Sequence, residues 1–164
     1  MLVALLAVAL VLNRTDQDPL PRGAPRFEGA RPARVQRVVD GDTVRLAGIG
    51  SVRLIGVDTP EVYGERVECF GPEASAFARD LLRPGGRVRY RVGTEARDRY
   101  RRLLVYLWLP DGRLVNRLLV TRGYATTLTI APNDQLAASF ARAERGARAA
   151  RRGIWGRPGC ARGG

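Results

Sequence analysis

The stretch RVQRVVDGDTVRL, residues 34–46, decides how this chain folds. It contains two β-prone runs, 34–39 and 43–46, on either side of the sequence DGD at 40–42. An Asp-Gly pair between two apolar runs is a strong signal for a β-hairpin. The stretch therefore predicts two strands joined by a tight turn that carries two carboxylates.

Periodicity extends this prediction along the chain. The expected elements are strands at 34–39, 43–46, 51–57, 87–92 and 103–109, a helix opened by Pro72 and ended by Gly85, a short helix at 114–119, and a last helix at about 134–152. Five short strands with an inserted helix suit a small closed barrel better than a sandwich or a doubly wound sheet. We expect an α+β fold: a five-stranded OB-fold β-barrel with about three helices.

The charge of the chain predicts a polyanionic partner. The 164 residues contain 28 basic and 16 acidic side chains, which gives a net charge of +12, and every basic residue is Arg. Codon bias would explain the choice of Arg over Lys, but it would not explain the excess of cations. Such an excess attracts nucleic acid first and anionic membrane surfaces second.

The absence of histidine limits the chemistry that the chain can perform. With no His in the sequence, a His base, a His nucleophile and a His-rich zinc site are all excluded. No Ser nucleophile stands in a recognisable motif. Catalysis would have to use carboxylates, arginines, hydroxyl groups and a hard metal ion.

The first part of the chain has the composition of an export signal. Residues 2–12 (LVALLAVALVL) form an apolar run that is too short for an ordinary transmembrane helix and fits a secretory signal. An uncleaved anchor or a start codon placed too late would look the same. We expect a signal peptide or anchor at 1–24, a flexible linker at 25–33, one folded domain at 34–158 and a tail at 159–164, in a secreted or periplasmic protein.

The two cysteines, Cys69 and Cys160, are consistent with export. An even number of cysteines in a secreted chain indicates a disulfide, which here would close a loop of about 91 residues. Two unpaired thiols in a cytosolic protein are the alternative.

A second acidic segment gives the hairpin turn a possible function. Taken alone, Asp40 and Asp42 are most simply turn residues that bond to their own backbone. Asp58, however, precedes Thr59, whose carbonyl is free to face a ligand because a following proline favours extended backbone. Oxygen ligands of this kind select Ca²⁺ or Mg²⁺, with water and a substrate phosphate completing the shell. Asp40 remains a turn residue or an indirect support of the site.

Other polar residues could complete a catalytic centre. Glu61 could activate a water beside the metal, although a glutamate after proline is commonly a surface residue. Arg53 and Arg102 could stabilise charge on a phosphodiester, although any one of 28 arginines is most simply a surface charge. Arg99 and Tyr100 are candidates for contact with a nucleotide.

Four segments resemble one known family. They are VVDGDTVRL (38–46), VRLIGVDTPE (52–61), FGPEASAFARDLL (70–82) and DRYRRLLVYLWLPDGRLVNRLLVTRGYA (98–125). In this order and at this spacing they resemble the staphylococcal-nuclease (thermonuclease) family. The resemblance covers most of the chain, from about residue 35 to residue 155.

This resemblance implies an OB-fold phosphodiesterase that requires Ca²⁺, acts on DNA and RNA without sequence specificity and leaves 3′-phosphates. It implies a monomer with no protein partner. The roles that it implies are metal ligation by Asp42, Asp58 and the Thr59 carbonyl, general-base catalysis by Glu61, phosphate binding by Arg53 and Arg102, and a disulfide between Cys69 and Cys160. A non-catalytic OB-fold module that binds nucleic acid is the alternative.

Two positions depart from the family pattern. The family carries two tyrosines near a Pro-Asn pair, where this chain has TTLTIAPN at 126–133 without an aromatic residue. Arg101 replaces a glycine that is common in the family. These departures concern nucleotide stacking and the loop that directs Arg102.

Overall fold

A computed structural model describes residues 24–63 and 67–160 of the chain. The strands are β1 (Arg31–Val38), β2 (Thr43–Leu46), β3 (Gly50–Leu54), β4 (Gly56–Asp58), β5 (Arg87–Arg97), β6 (Leu103–Trp108) and β7 (Thr126–Leu128). The helices are α1 (Gly71–Leu81), α2 (Val115–Thr121) and α3 (Ala137–Ala149), followed by a 3₁₀ turn at Gly153–Gly156.

Five of the strands form a closed barrel in the order β1-β2-β3-β6-β5. The pairs are antiparallel except for β3 with β6, which run parallel. Together with the three α-helices, this confirms the predicted α+β fold on a five-stranded OB-fold barrel.

The barrel core follows from the alternation of apolar and polar residues. Val44 and Leu46 of β2 are fully buried, whereas Arg45 between them is exposed. Val52 and Leu54 of β3 are also buried, and Arg53 between them points the other way. Because successive side chains of a strand face opposite sides, the same pattern fills the core and places the arginines outside.

A buried asparagine joins the barrel to α2. Asn116 is completely buried; its Oδ1 accepts a hydrogen bond from the Leu107 amide at 3.0 Å, and its Nδ2 donates to the Ile55 carbonyl at 2.9 Å and the Val105 carbonyl at 3.2 Å. Ile55 is the single residue between β3 and β4. Asn116 therefore holds the point at which the chain leaves the barrel.

The predicted strand at 51–57 is in fact two strands. The chain breaks at Gly56, whose φ is +79°, and a Cβ there would overlap the ring of Phe140. After the break, β4 pairs with β7 in a separate two-stranded sheet, and β7 was not predicted. The break turns the chain out of the barrel just before Asp58.

The barrel also extends beyond the predicted limits. Strand β1 begins at Arg31 because residues 31–34 pair with residues 87–90 of β5, so residues 31–33, predicted as linker, belong to the barrel. Ala24 and Ala30 are buried as well. Strand β5 continues to Arg97, five residues beyond its predicted end.

The predicted disulfide is present at the end of the described chain. Cys69 and Cys160 are bonded, and their Cα atoms lie 5.2 Å apart. The 3₁₀ turn before Cys160 is tied to the body by a hydrogen bond from the Ile154 amide to the Gly123 carbonyl at 2.9 Å.

Within the described ranges, no helix is long and apolar enough to span a membrane. The apolar run at 2–12, and with it the predicted signal or anchor, lies outside those ranges.

Candidate active site

The hairpin turn between β1 and β2 is stabilised by Asp40. Its Oδ1 accepts hydrogen bonds from the amides of Asp42 at 3.1 Å and Thr43 at 2.6 Å. An aspartate that bonds to the backbone two and three residues on is a typical turn residue. Asp40 thus fixes the backbone that presents Asp42.

Asp42 is buried in a polar environment. Its Oδ2 accepts hydrogen bonds from the amide of Thr59 at 2.9 Å and from its Oγ1 at 3.1 Å, and its Oδ1 lies 3.0 Å from Nε of Arg53. The net pKa of Asp42 is raised to about 6, because burial raises it more than the charge of Arg53 and the Thr59 amide lower it, and the charges of Asp40 and Asp58 also raise it. The carboxylate is therefore a desolvated negative charge that its partners compensate incompletely.

Arg53 joins the two acidic segments. Its Nη2 lies 2.8 Å from Oδ1 of Asp58, and its Nε contacts Asp42. Its Nη1 donates to the carbonyls of Leu54 at 2.8 Å and Val57 at 2.6 Å, and the side chain is only 12% exposed. The break at the end of β3 brings these carbonyls within reach, so the guanidinium has a fixed position and orientation.

The hairpin turn and the segment after β4 pack directly on each other. A Cβ at Gly41 would lie 2.6 Å from Oγ1 of Thr59, which leaves room only for glycine. This close approach, together with the hydrogen bonds from Thr59 to Asp42, brings the three predicted metal ligands to one place. The side chain of Asp58 is 53% exposed.

Glu61 lies at the edge of the same acidic group. Its amide donates to Oε2 of Glu68 at 2.9 Å, and its carbonyl accepts from the Glu68 amide at 2.9 Å. Partial burial raises the pKa of Glu61, as do Asp40, Asp58 and Glu68, and Arg53 lowers it. Glu61 is therefore a stronger base than an isolated glutamate.

Arg102 approaches the turn from the other side. Oδ2 of Asp98 forms an ion pair with Nε of Arg102 at 2.6 Å, and Oδ1 of Asp98 accepts a hydrogen bond from the Arg102 amide at 2.9 Å. Nη1 of Arg102 donates a hydrogen bond to Oγ1 of Thr43 at 3.3 Å. Burial alone would raise the pKa of Asp98. The hydrogen bonds from Arg102 and its positive charge outweigh this effect, so the pKa of Asp98 is lower than its usual value. Asp98 thus directs Arg102 at the residue next to Asp42.

Sequence reasoning did not identify Asp98, Thr43 or Glu68 as parts of the site. Asp98 could have been found, because an aspartate that begins a short polar loop commonly bonds to the amides that follow. The contact of Thr43 with Arg102 joins residues 59 positions apart and has no local signal.

The loop that carries Arg102 makes a tight turn at Arg101. Arg101 adopts a φ of +63°, in the left-handed region that favours glycine. The amide of Arg101 donates to the Asp98 carbonyl at 2.9 Å, and the Asp98 amide donates to the Arg102 carbonyl at 3.1 Å. Arg101 therefore adopts, as a non-glycine residue, the backbone conformation that glycine favours.

A cleft of about 480 Å³ opens beside the two arginines. Arg53, Arg102, Arg99 and Tyr100 line one part of it, and the exposed side chains of Leu128 and Ile130 line another. The stretch that lacks the family tyrosines thus forms an aliphatic wall. Tyr100 is 63% exposed and lies under the guanidiniums of Arg99 and Arg102, whose Cζ atoms are 4.8 and 5.3 Å from the ring centroid.

The donor atoms at the centre fit a hard cation. Across residues 24–63 and 67–160, no three acidic or cysteine side chains are grouped tightly enough to hold a metal alone. The fold does bring together three oxygen-bearing groups: the buried carboxylate of Asp42, the exposed carboxylate of Asp58 and the backbone at Thr59. The incompletely compensated charge of Asp42 favours a cation, with water and phosphate supplying the remaining ligands.

The sequence of this chain is similar to those of known nucleases. A family model described as "Staphylococcal nuclease homologue" matches residues 51–157. The thermonuclease of Staphylococcus intermedius is 33% identical over 163 residues, which covers 96% of this chain and 95% of that protein. The thermonuclease of Staphylococcus hyicus is 30% identical over 162 residues, with 94% and 95% covered. Endonuclease YhcR of Bacillus subtilis is 36% identical over 157 residues, 88% of this chain but only 13% of that protein.

Proposed function

This chain belongs to the staphylococcal nuclease family, and from that premise we propose that it is an exported, Ca²⁺-dependent phosphodiesterase that hydrolyses DNA and RNA to 3′-phosphate products. The observation that carries the proposal is the placement of Arg53 between Asp42 and Asp58, with Arg102 directed at the same turn. Two fixed guanidiniums around a carboxylate pair suit the charge of a phosphodiester under attack.

The proposed metal site consists of Asp42, Asp58 and the carbonyl of Thr59. When bound there, Ca²⁺ supplies positive charge to a non-bridging oxygen of the phosphate. Arg53 keeps the two carboxylates together, and its own position is held by backbone carbonyls rather than by the carboxylates alone.

In the proposed reaction, Glu61 takes a proton from the attacking water. The water oxygen bonds to phosphorus, the bond from phosphorus to the 5′ oxygen breaks, and that oxygen takes a proton from solvent. Arg53 and Arg102 donate hydrogen bonds to the phosphoryl oxygens, on which negative charge increases. The raised pKa of Glu61 makes it a more effective base toward the attacking water.

The cleft would hold the nucleotide next to the scissile phosphate. Arg99 and Tyr100 offer a cation and an exposed ring for phosphate contact and stacking, whereas Leu128 and Ile130 offer apolar contact. Because the reaction acts on the phosphodiester and not on a base edge, we expect no sequence specificity. The family resemblance is the reason to expect a monomeric enzyme.

Two observations support export. Disulfides persist in oxidising compartments, and Cys69 is bonded to Cys160. Residues 2–12 have the composition of a secretory signal. We therefore place the protein in the periplasm or outside the cell, with residues 2–12 either removed or retained as an anchor.

Digestion of single-stranded DNA and of RNA by the purified protein tests this function. We expect cleavage in Ca²⁺ and loss of cleavage in EDTA. The variant Glu61→Gln should lose most turnover but retain binding of the DNA. Undiminished cleavage in EDTA would overturn the metal dependence, and binding without cleavage by the wild type would favour a non-catalytic OB-fold module.

A further inference from the structure

A second groove begins at Arg102 and leads away from the cleft. It has a volume of about 540 Å³ and crosses the outer side of the barrel; its lining includes Arg37, Ile49, Ser51, Arg97, Arg101 and Arg102. The proposed nuclease reaction needs neither Arg37 nor Arg101.

The groove is strongly positive. Four arginines line it against a single carboxylate, Asp40, and Oδ1 of that carboxylate is engaged by the backbone of the turn. Arg37 of β1 also stands directly opposite Arg45 of β2. Like charges in such a cross-strand pair reduce stability. Among the residues that the structure describes, neither of these arginines forms an ion pair, so nothing in the fold offsets their repulsion.

Arg101 stands in a conformation that disfavours it. A non-glycine residue at a φ of +63° has a strained backbone, and glycine would avoid this strain. Its side chain is exposed, lines the groove and has no ion-pair partner within the described ranges. Strained backbone of this kind is concentrated at functional sites.

The groove and the cleft meet at the catalytic centre. Tyr100 and Arg102 line both of them. A polynucleotide whose scissile phosphate lies at Arg53 and Arg102 must continue in two directions from that point, and the cleft accommodates only one of them. The other direction leads into the positive groove.

We propose that this groove binds the phosphates of the polynucleotide on the side of the scissile bond away from the cleft, through Arg37 and Arg101. This inference rests on the proposed nuclease function and adds to it that the enzyme acts preferentially on polymers. Short substrates would fill the cleft and the catalytic centre but would not reach Arg37.

Kinetics on a 20-nucleotide single-stranded DNA and on a trinucleotide test the proposal. Arg37→Gln and Arg101→Gly should each raise KM for the 20-mer about three- to tenfold and leave cleavage of the trinucleotide within about twofold of wild type. The dependence of log KM on log salt should become shallower by about 0.7 for each phosphate that the variant no longer binds. Arg101→Gly should also raise thermal stability, because glycine relieves the strain.

Arg145→Gln is the matched control, because Arg145 is exposed on α3 and lines neither the groove nor the cleft. The proposal is overturned if Arg37→Gln and Arg101→Gly change the 20-mer kinetics no more than Arg145→Gln does. It is equally overturned if they impair the trinucleotide as strongly as the 20-mer.

A measurement of DNA binding shows which of the two proposals is wrong, the binding of phosphates in the groove or the nuclease function. Fluorescence anisotropy of the labelled 20-mer, recorded in EDTA, requires no turnover. If the wild type cleaves nothing, the nuclease function is wrong. In that case the groove proposal is supported if Arg37→Gln weakens binding of the 20-mer more than Arg145→Gln does, and it is overturned if it does not.

Discussion

At the scale of single residues, the direction of Arg102 depends on Asp98. Asp98→Asn would keep an oxygen for the turn amides but would remove the charge that holds Nε of Arg102. Since a displacement of about 1 Å can cost about a hundredfold in rate, we expect kcat to fall about 10- to 100-fold with little change in KM. Steady-state cleavage of single-stranded DNA measures both constants.

Asp111 provides a control for this substitution. It holds Arg113 in a similar way, with 2.8 Å from Oδ2 to Nε and 3.1 Å from the Arg113 amide to Oδ1, but it lies in the turn between β6 and α2. Asp111→Asn should leave kcat unchanged. An equal loss of kcat in both variants would contradict a specific role of Asp98.

Also at this scale, the raised pKa of Asp42 predicts how metal binding depends on pH. With a pKa of about 6, the side chain is mostly protonated below pH 6 and ionised above it. A metal ion requires the carboxylate, so protons compete with it at low pH. Isothermal titration with Ca²⁺ should give a Kd that is nearly constant from pH 7 to 8 and rises about tenfold per unit below pH 6. A Kd that stays constant down to pH 5 would contradict metal ligation by an Asp42 carboxylate of raised pKa.

At the scale of secondary-structure elements, the hairpin turn functions only because Gly41 leaves space for Thr59. In Gly41→Ala, the new Cβ would lie 2.6 to 2.7 Å from three side-chain atoms of Thr59. We expect a loss of about 1 to 3 kcal/mol in the free energy of unfolding, measured in urea, and weaker Ca²⁺ binding, because the turn and the Thr59 segment would separate.

Gly146 in α3 is the matched control, because nothing lies within 4 Å of a Cβ built there. Gly146→Ala should raise the free energy of unfolding by about 0.5 to 1 kcal/mol through helix propensity and leave metal binding unchanged. If Gly41→Ala proved as harmless as Gly146→Ala, the close contact between the turn and Thr59 would not be a constraint.

The elements also show what the sequence can predict. Alternation along β2 and β3 is a local property, and it correctly indicated these two barrel strands. The break at Gly56 and strand β7 were not predicted, because three-residue strands carry almost no periodic signal and depend on distant partners. The same limit applies to the site: the acidic motifs were visible in the sequence, whereas the pairing of Arg102 with Thr43 exists only after folding.

At the scale of the whole molecule, one barrel supports all parts of the proposed centre. The turn after β1, the end of β3, the segment after β4 and the loop before β6 all lie near the same edge. These connections bring arginines and acids together into one region of a chain whose net charge is +12. The overall charge attracts a polyanion, and the local acids provide the place for a cation.

The disulfide predicts a large effect on the stability of this whole assembly. Cys69 and Cys160 close a loop with a sequence separation of 91, and the bond joins the segment before α1 to the end of the described chain. Because such a bond restricts the unfolded chain, the double variant Cys69→Ala/Cys160→Ala should lose about 4 to 5 kcal/mol in the free energy of unfolding in the chain-entropy model.

Urea unfolding of the double variant should show a lower midpoint and a steeper dependence on urea than that of the wild type, because the unfolded state expands. Reducing agent should destabilise the wild type in the same way and leave the double variant unchanged; equal midpoints for oxidised wild type and double variant would show that the bond contributes nothing.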